Sequence, residues 1–354
     1  MRKPGLSRRD ILKASAALPF IAYAVPTRAA APAAETVTPA LIEAAKKEGQ
    51  VTWYTSADLQ LAQKIGKAFE QKFPGMSARV ERAGAERIFT RIGQEYSAGI
   101  HTVDAVNTGD LAQFVAWKEQ KLLAPFVPED VAKNIPAEHR DPDGMHAIVR
   151  STLCVVAYNP EMVKPDQVPT SFADLLDPKW SGKMCKASPS YSGTIITSTY
   201  QMVQNIGWPY FEKLAKQKVM QLQSATDTPK KVILGERPVM FDGNEYNVLI
   251  ANEAGKPIKP VYVTEGSPLV AMPSAIFAAA PHPNAARLFQ SFLFSAEGQQ
   301  LFVDIGGLRS VHKQVKDKPG RTPLSSIKIM NTDPGGLTAQ MEEIKRRYSE
   351  YFGV

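Results

Sequence analysis

The chain has 354 residues and a formal net charge of +7, with 44% hydrophobic, 8% aromatic and 22% charged residues. That length points to about two domains and the composition to a packed globular core, which excludes disorder, collagen-like repeat and coiled coil as descriptions of the whole. The two cysteines, Cys154 and Cys185, form neither a CxxC pair nor a disulfide framework, and they offer no zinc cluster.

Most of the charge imbalance sits at the start. Residues 1–33 read as a secretory signal, with a basic beginning, an apolar stretch over 14–25 and small residues after it. Within it, Ser7-Arg8-Arg9-Asp10-Ile11-Leu12-Lys13 matches the twin-arginine export pattern. Cleavage is expected between Ala30 and Glu35. The apolar stretch is shorter than the roughly 20 residues of a membrane span. Six bases and one acid lie in residues 1–29, so the remainder carries only +2. That balance gives no basic face for nucleic acid.

The mature part opens at Thr38-Pro39, an N-cap and first helical position, with a helix closed by Gly49. A strand over 50–54 follows, then a polar loop and a helix through Phe73. A strand over 76–81 leads to a helix in which Ile88, Ile92 and Tyr96 share a face, closed by Gly99. A strand over 103–107 and a helix over 110–119 complete the first α/β unit. Residues 124–147 read as irregular, and 152–158 as an apolar β run. A second α/β unit starts near Lys183, with a strand over 184–188 and a helix over 193–206. Next come a strand over 218–223, a helix over 228–234, a strand over 239–241 and a helix ending at Gly255. Strands over 261–264 and 275–280, helices over 283–293 and 296–305, and a final helix over 341–351 complete the reading. Strand–helix alternation with short loops predicts an α/β chain on mainly parallel sheets.

In such sheets ligands bind beyond the carboxyl ends of the strands, against the N-termini of the helices that follow. Four polar loops occupy that place: residues 55–58, 108–110, 190–194 and 242–246. Two belong to each unit, which predicts a cleft between lobes. The candidate ligand-binding residues are Thr55, Ser56, Asp58, Arg82, Thr108, Arg150, Ser190, Ser192, Gly193, Thr194, Asp242, Glu245 and Tyr246. The bland alternative for the Ser, Thr and Asp members is helix capping. Arg82 and Arg150 would supply full positive charge; Asp242 and Glu245 would favour a ligand that also carries an amine or hydroxyls. Catalytic patterns are missing: the five histidines are scattered without HExxH spacing, and there is no GxSxG elbow or P-loop lysine. An exported enzyme is the rival class, since twin-arginine signals also precede cofactor enzymes.

Asn159-Pro160, the run Val168-Pro169-Thr170-Ser171-Phe172-Ala173-Asp174-Leu175-Leu176-Asp177-Pro178-Lys179-Trp180-Ser181-Gly182-Lys183, Pro283-Asn284-Ala285-Ala286-Arg287-Leu288-Phe289 and Ser295-Ala296-Glu297-Gly298-Gln299 resemble the extracellular solute-binding proteins of ABC importers. The group they resemble holds the periplasmic ferric-ion, phosphonate and sugar-phosphate binders. The resemblance spans about residues 48–315. It implies a two-lobe type II periplasmic binding protein with a ligand cleft and two crossover segments, near 150–158 and 261–274. Lobe 1 would comprise 34–150 and 264–315, lobe 2 would be 151–263, and 316–354 a C-terminal helical tail. It implies a periplasmic monomer without catalysis or cofactor that delivers a small polar, anionic or zwitterionic solute to a membrane permease. Ferric members hold iron through two adjacent tyrosines, with a His and a Glu. Those positions fall here on Glu245-Tyr246, Asp58 and Gly109, so a single ligand survives and no metal site is assigned. Ferric iron remains the alternative solute, because the oxygens of Asp58 and Glu245 are hard donors.

Overall fold

Short strands between amphipathic helices build two sheets in the computed structural model, which describes residues 31–330 and 336–354. The signal segment 1–30 and its twin arginines lie outside the described residues. Among those residues, no helix is long and apolar enough to cross a membrane.

The strands are β1 (Gln50–Thr55), β2 (Ser77–Arg82), β3 (Ala105–Asn107), β4 (Leu123–Ala124), β5 (Ala147–Leu153), β6 (Val156–Tyr158), β7 (Met184–Ala187), β8 (Met220–Leu222), β9 (Val239–Asp242), β10 (Lys259–Val261) and β11 (Leu269–Phe277). The helices are α1 (Pro39–Glu48), α2 (Leu59–Lys72), α3 (Ala85–Ser97), α4 (Leu111–Glu119), α5 (Glu129–Asn134), α6 (Gly193–Ile206), α7 (Trp208–Ala215), α8 (Thr228–Ile233), α9 (Glu245–Glu253), α10 (Pro283–Phe294), α11 (Ala296–Asp304) and α12 (Gly336–Phe352).

The first sheet runs β2-β1-β3-β11-β4, with β5 also paired to β11; the second runs β10-β6-β9-β7-β8. Each sheet anchors one lobe. Parallel pairing joins β1 to β2 and β3, and β7 to β8 and β9. The sheets are more mixed than the sequence pattern predicts, because β11 runs antiparallel to β3, β4 and β5. It returns from the second lobe, so it enters the first sheet from the opposite end. The chain crosses between lobes twice, through Cys154-Val155 and again between β10 and β11.

Trp53 and Phe69 meet Phe289 of α10 at ring-centroid distances of 5.3 and 5.0 Å in the core of the first lobe. Phe172, Phe211, Phe241 and Tyr348 form the core of the second. Tyr348 comes from α12, which packs on α6 and α7, so the last helix contributes to that lobe's core. Helix ends follow the chemistry of their caps. Thr38, Asp58, Asp110 and Ser192 accept from backbone N–H groups at the starts of α1, α2, α4 and α6, and Gly49 (φ 76°) closes α1 in the left-handed region.

Candidate functional site

Loops at the carboxyl ends of β1, β2, β7, β8 and β9 converge on one interlobe cavity. Ser56, Arg82, Gly84 and Ala85 line it from the first lobe, and Tyr191–Thr194, Gln223–Thr226 and Asn244 from the second. The lobes are shut on it. The space left between them is about 20 Å³, close to what a single ordered water occupies.

The closed state has its own contacts. Arg82 donates from Nε to the Ala57 carbonyl at 3.2 Å and from Nη2 to Ser224 Oγ and Thr226 Oγ1 at 3.4 and 3.2 Å, bridging the lobes. Arg87 reaches Gln223 across the same gap. Thr197 Oγ1 donates to the Gly109 carbonyl at 3.4 Å, and Lys345 of α12 stands 3.5 Å from Glu86 of α3. Backbones approach where glycine permits: a Cβ on Gly109 would lie 2.7 Å from Thr194 Oγ1, and one on Gly193 would lie 2.7 Å from Asp110 Cβ.

Three arginines here, Arg82, Arg87 and Arg150, have no carboxylate within ion-pair distance among the described residues, and of these Arg150 is the fully buried one. Arg150, on β5, is 1% exposed, and its Nε donates to Asn107 Oδ1 at 2.7 Å. Its Nη2 is buried without a hydrogen-bond partner. Burial holds its pKa down to about 10. Asn107 also accepts through its carbonyl from the Ser56 N–H at 3.0 Å, so Arg150 lies one residue behind the cavity wall. Beside it is the buried Tyr246, whose hydroxyl meets the Asp58 backbone and whose pKa is raised by burial. The N-terminus of α6 lines the cavity, with Ser192 Oγ taken up by Ile195 N–H at 3.4 Å. The N-terminus of α3 also lines it, and its Gly84 brings no capping side chain.

Of the thirteen candidates, Ser56, Arg82, Ser192, Gly193 and Thr194 line the cavity. Arg150 and Tyr246 sit directly behind it. The others have different partners. Thr55 Oγ1 accepts from Ala57 N–H at 3.1 Å, Thr108 Oγ1 donates to Gln113 Oε1 at 2.9 Å, and Asp58 caps α2 through Gln60 N–H at 3.0 Å. The half-buried Ser190 donates its N–H to Ser188 Oγ at 3.2 Å. Asp242, its pKa raised by burial, is paired with buried Lys186 at 2.7 Å. Glu245 takes a bidentate grip from Arg309, at 2.9 and 2.8 Å, and a bond from the Tyr262 hydroxyl at 2.7 Å. Both acids on α9 and the strand before it are therefore spent inside the protein.

Tyr191 and Asn244 lie in the predicted loops 190–194 and 242–246 but are not among the candidates, whereas sequence reasoning passed over Gly84, Ala85 and the run Gln223-Ser224-Ala225-Thr226. The rule that found the other loops, polar residues just after a strand, also applies to 223–226. Among the described residues, no group of three or more His, Cys, Asp or Glu could hold a metal ion.

Two α/β lobes joined by two crossings, with helix N-termini from both facing one polar cavity, define a two-lobe solute-binding protein of the periplasmic type. The sequence profile of the bacterial extracellular solute-binding proteins matches residues 109–324. The chain belongs to that family. Its solved relatives include the periplasmic binding protein AfuA of Actinobacillus pleuropneumoniae, with exogenous fructose-6-phosphate bound. That likeness has a TM-score of 0.78 at 22% identity, over 87% of this chain and 99% of the other. A probable ABC transporter periplasmic-binding protein of Sinorhizobium fredii is 20% identical over 277 residues, 75% of this chain and 76% of that one. The iron uptake protein A1 of Synechocystis is 29% identical over 126 residues, and the match spans 35% of this chain and about a third of that relative, 34%.

Proposed function

We propose that this protein captures a small organic anion in the periplasm and hands it to an ABC permease, with no chemistry of its own and as a monomer. The observation that carries the reading is Arg150: a buried guanidinium with one nitrogen unpartnered and no carboxylate to balance it. An unbalanced buried charge is costly, and a ligand anion in the adjacent cleft offsets that cost. Arg82 and the N-termini of α3 and α6 favour negative charge in the same place. The hydroxyls and amides of Ser56, Gln223, Ser224, Thr226 and Asn244 suit an oxygen-rich body. Closure then expels water while groups of both lobes converge.

The remaining parts of the reading follow the sequence. Residues 1–33 would direct twin-arginine export. Residues 34–150 with 264–315 would form one lobe, 151–263 the other, and 316–354 the tail. Ferric iron is the second reading, on the likeness to the Synechocystis iron uptake protein. Against it, Glu245 is held by Arg309 and Asp58 caps α2.

Thermal unfolding of the mature protein with phosphate esters, phosphonates, carboxylates and ferric ion tests this. A solute that binds only the folded state adds about 2.7 kcal/mol at a hundredfold excess over its Kd. A shift with an anionic solute that leaves unchanged on release supports the reading. A shift with ferric ion and the colour of a Tyr246 phenolate complex would replace it with the iron reading. A converted product would make the protein an enzyme.

A further inference from the structure

The seam between the lobes buries an acid with no ion-pair partner among the described residues. Asp110 is fully shielded from solvent at the N-cap of α4, where Oδ1 accepts from Ala112 N–H at 3.0 Å. Its Oδ2 is buried with no hydrogen-bond partner. The wall opposite belongs to the other lobe: a Cβ on Gly193, the first residue of α6, would lie 2.7 Å from Asp110 Cβ. The charged groups that face Asp110 are Glu86 on α3 and Lys345 on α12, which pair with each other at 3.5 Å. The N-terminus of α6 brings only Ser192, Gly193 and Thr194. Its partial positive charge favours an ionised acid, yet none of its N–H groups reaches Oδ2.

We propose that Asp110 is a proton-linked latch on lobe closure, taking up a proton from water as the lobes shut and returning it as they part. This rests on the solute-capture reading, since it concerns the closing of that same cleft. When the lobes separate, α6 and α12 withdraw, water reaches the carboxyl, and it ionises as an ordinary aspartate. In the closed seam, burial first and Glu86 second lift its pKa from 3.8 to about 7. The closed state thus binds the proton more tightly, and protons favour closure. The gain is complete below the ordinary carboxylate range, falls as pH climbs toward 7, and is absent above. Within that window the closure constant drops by up to about tenfold per pH unit.

The test places nitroxide labels on the mature protein at Arg79→Cys in the first lobe and Lys216→Cys in the second, both exposed, and reads the interlobe distance without added solute from pH 5 to 8. Asp110→Asn is the decisive variant, because asparagine caps a helix as well as aspartate and has nearly the same shape. Asp110→Ser is the second cap-preserving variant. The expected result is a closed population that falls between pH 5 and 7 in the parent protein and stays high and flat in both variants. A flat profile in the parent protein overturns the latch, and so does the same slope in Asp110→Asn. One fixed distance at every pH overturns the latch, and only a distance that also stays fixed when the solute found by the thermal-shift screen is added would overturn lobe closure itself, and with it the capture reading.

Discussion

Arg150→Met separates the burden of a buried charge from its use. Holding the guanidinium charged in place costs about 3 kcal/mol, from a pKa drawn down from 12.5 to about 10. Methionine removes that cost and fills much of the volume. The substitution also strands Asn107 Oδ1, which accepts from Arg150 at 2.7 Å, at a cost of about 1–3 kcal/mol. The two nearly cancel, so the variant without solute should match the parent protein or exceed it by up to about 2 kcal/mol. At about 2.1 cal/mol/K of unfolding entropy per residue, in a chain this long that corresponds to a rise in Tm of no more than about 3 °C. The anionic solute found by the thermal-shift screen should no longer shift the variant. Scanning calorimetry with and without that solute checks both arms. A loss of about 3–5 kcal/mol without solute, the cost of breaking a satisfied buried ion pair, would show that the protein already balances the charge. That outcome, or an undiminished solute shift, refutes the reasoning.

Glu245→Ala should cost about 3–5 kcal/mol in urea unfolding with or without solute, because it strands the buried Arg309 charge; an aliphatic replacement of both partners should recover most of the loss. Gly193→Ala places a Cβ 2.7 Å from Asp110 Cβ and 2.9 Å from Ala85 Cβ, both on the other side of the seam. Titration calorimetry should show solute affinity weakened at least about tenfold through a smaller closed population, with the Tm of the free protein nearly unchanged. Burial draws the His146 pKa from 6.5 down to about 4. Protonation therefore favours the unfolded chain, and stability is lost as pH falls from 6.5 to 4, by about 3 kcal/mol. His146→Phe should flatten that part of the urea-midpoint profile.

Elements with strong local chemistry were legible in the sequence. The bounds of α6 follow from a Ser192 cap, Gly193 and a closing Gly207, and they match residue for residue. Strand β11 was read six residues late, because Pro273 removes a ladder N–H and argues against a strand interior. The structure absorbs it at a register shift between Met272 and Pro273 against β5. The sequence reading places no element over 208–215, although Pro209 is welcome in the first turn of the helix the structure has there. At the site, the strand-end rule located residues 190–194 and 56, since position along the chain is enough to place them. It could not separate Glu245 from a ligand contact. The partner that neutralises Glu245 lies 64 residues away, and only the fold brings Arg309 to it.

The place of β11 in the first sheet has a consequence for how the chain is made. It lies between β3 and β4 and is the one strand paired with β4 and β5 among the described residues, yet every strand of the second sheet precedes it on the chain. The Ser274 hydroxyl that bonds the Val106 carbonyl arrives 168 residues after it. At about 5–20 residues per second, the ribosome needs roughly ten to thirty seconds to supply that strand. During the interval β3, β4 and β5 present unpaired edges, the form of a nascent chain most open to wrong pairing. The second lobe can begin to assemble first, so the segment encoded earliest completes its sheet last.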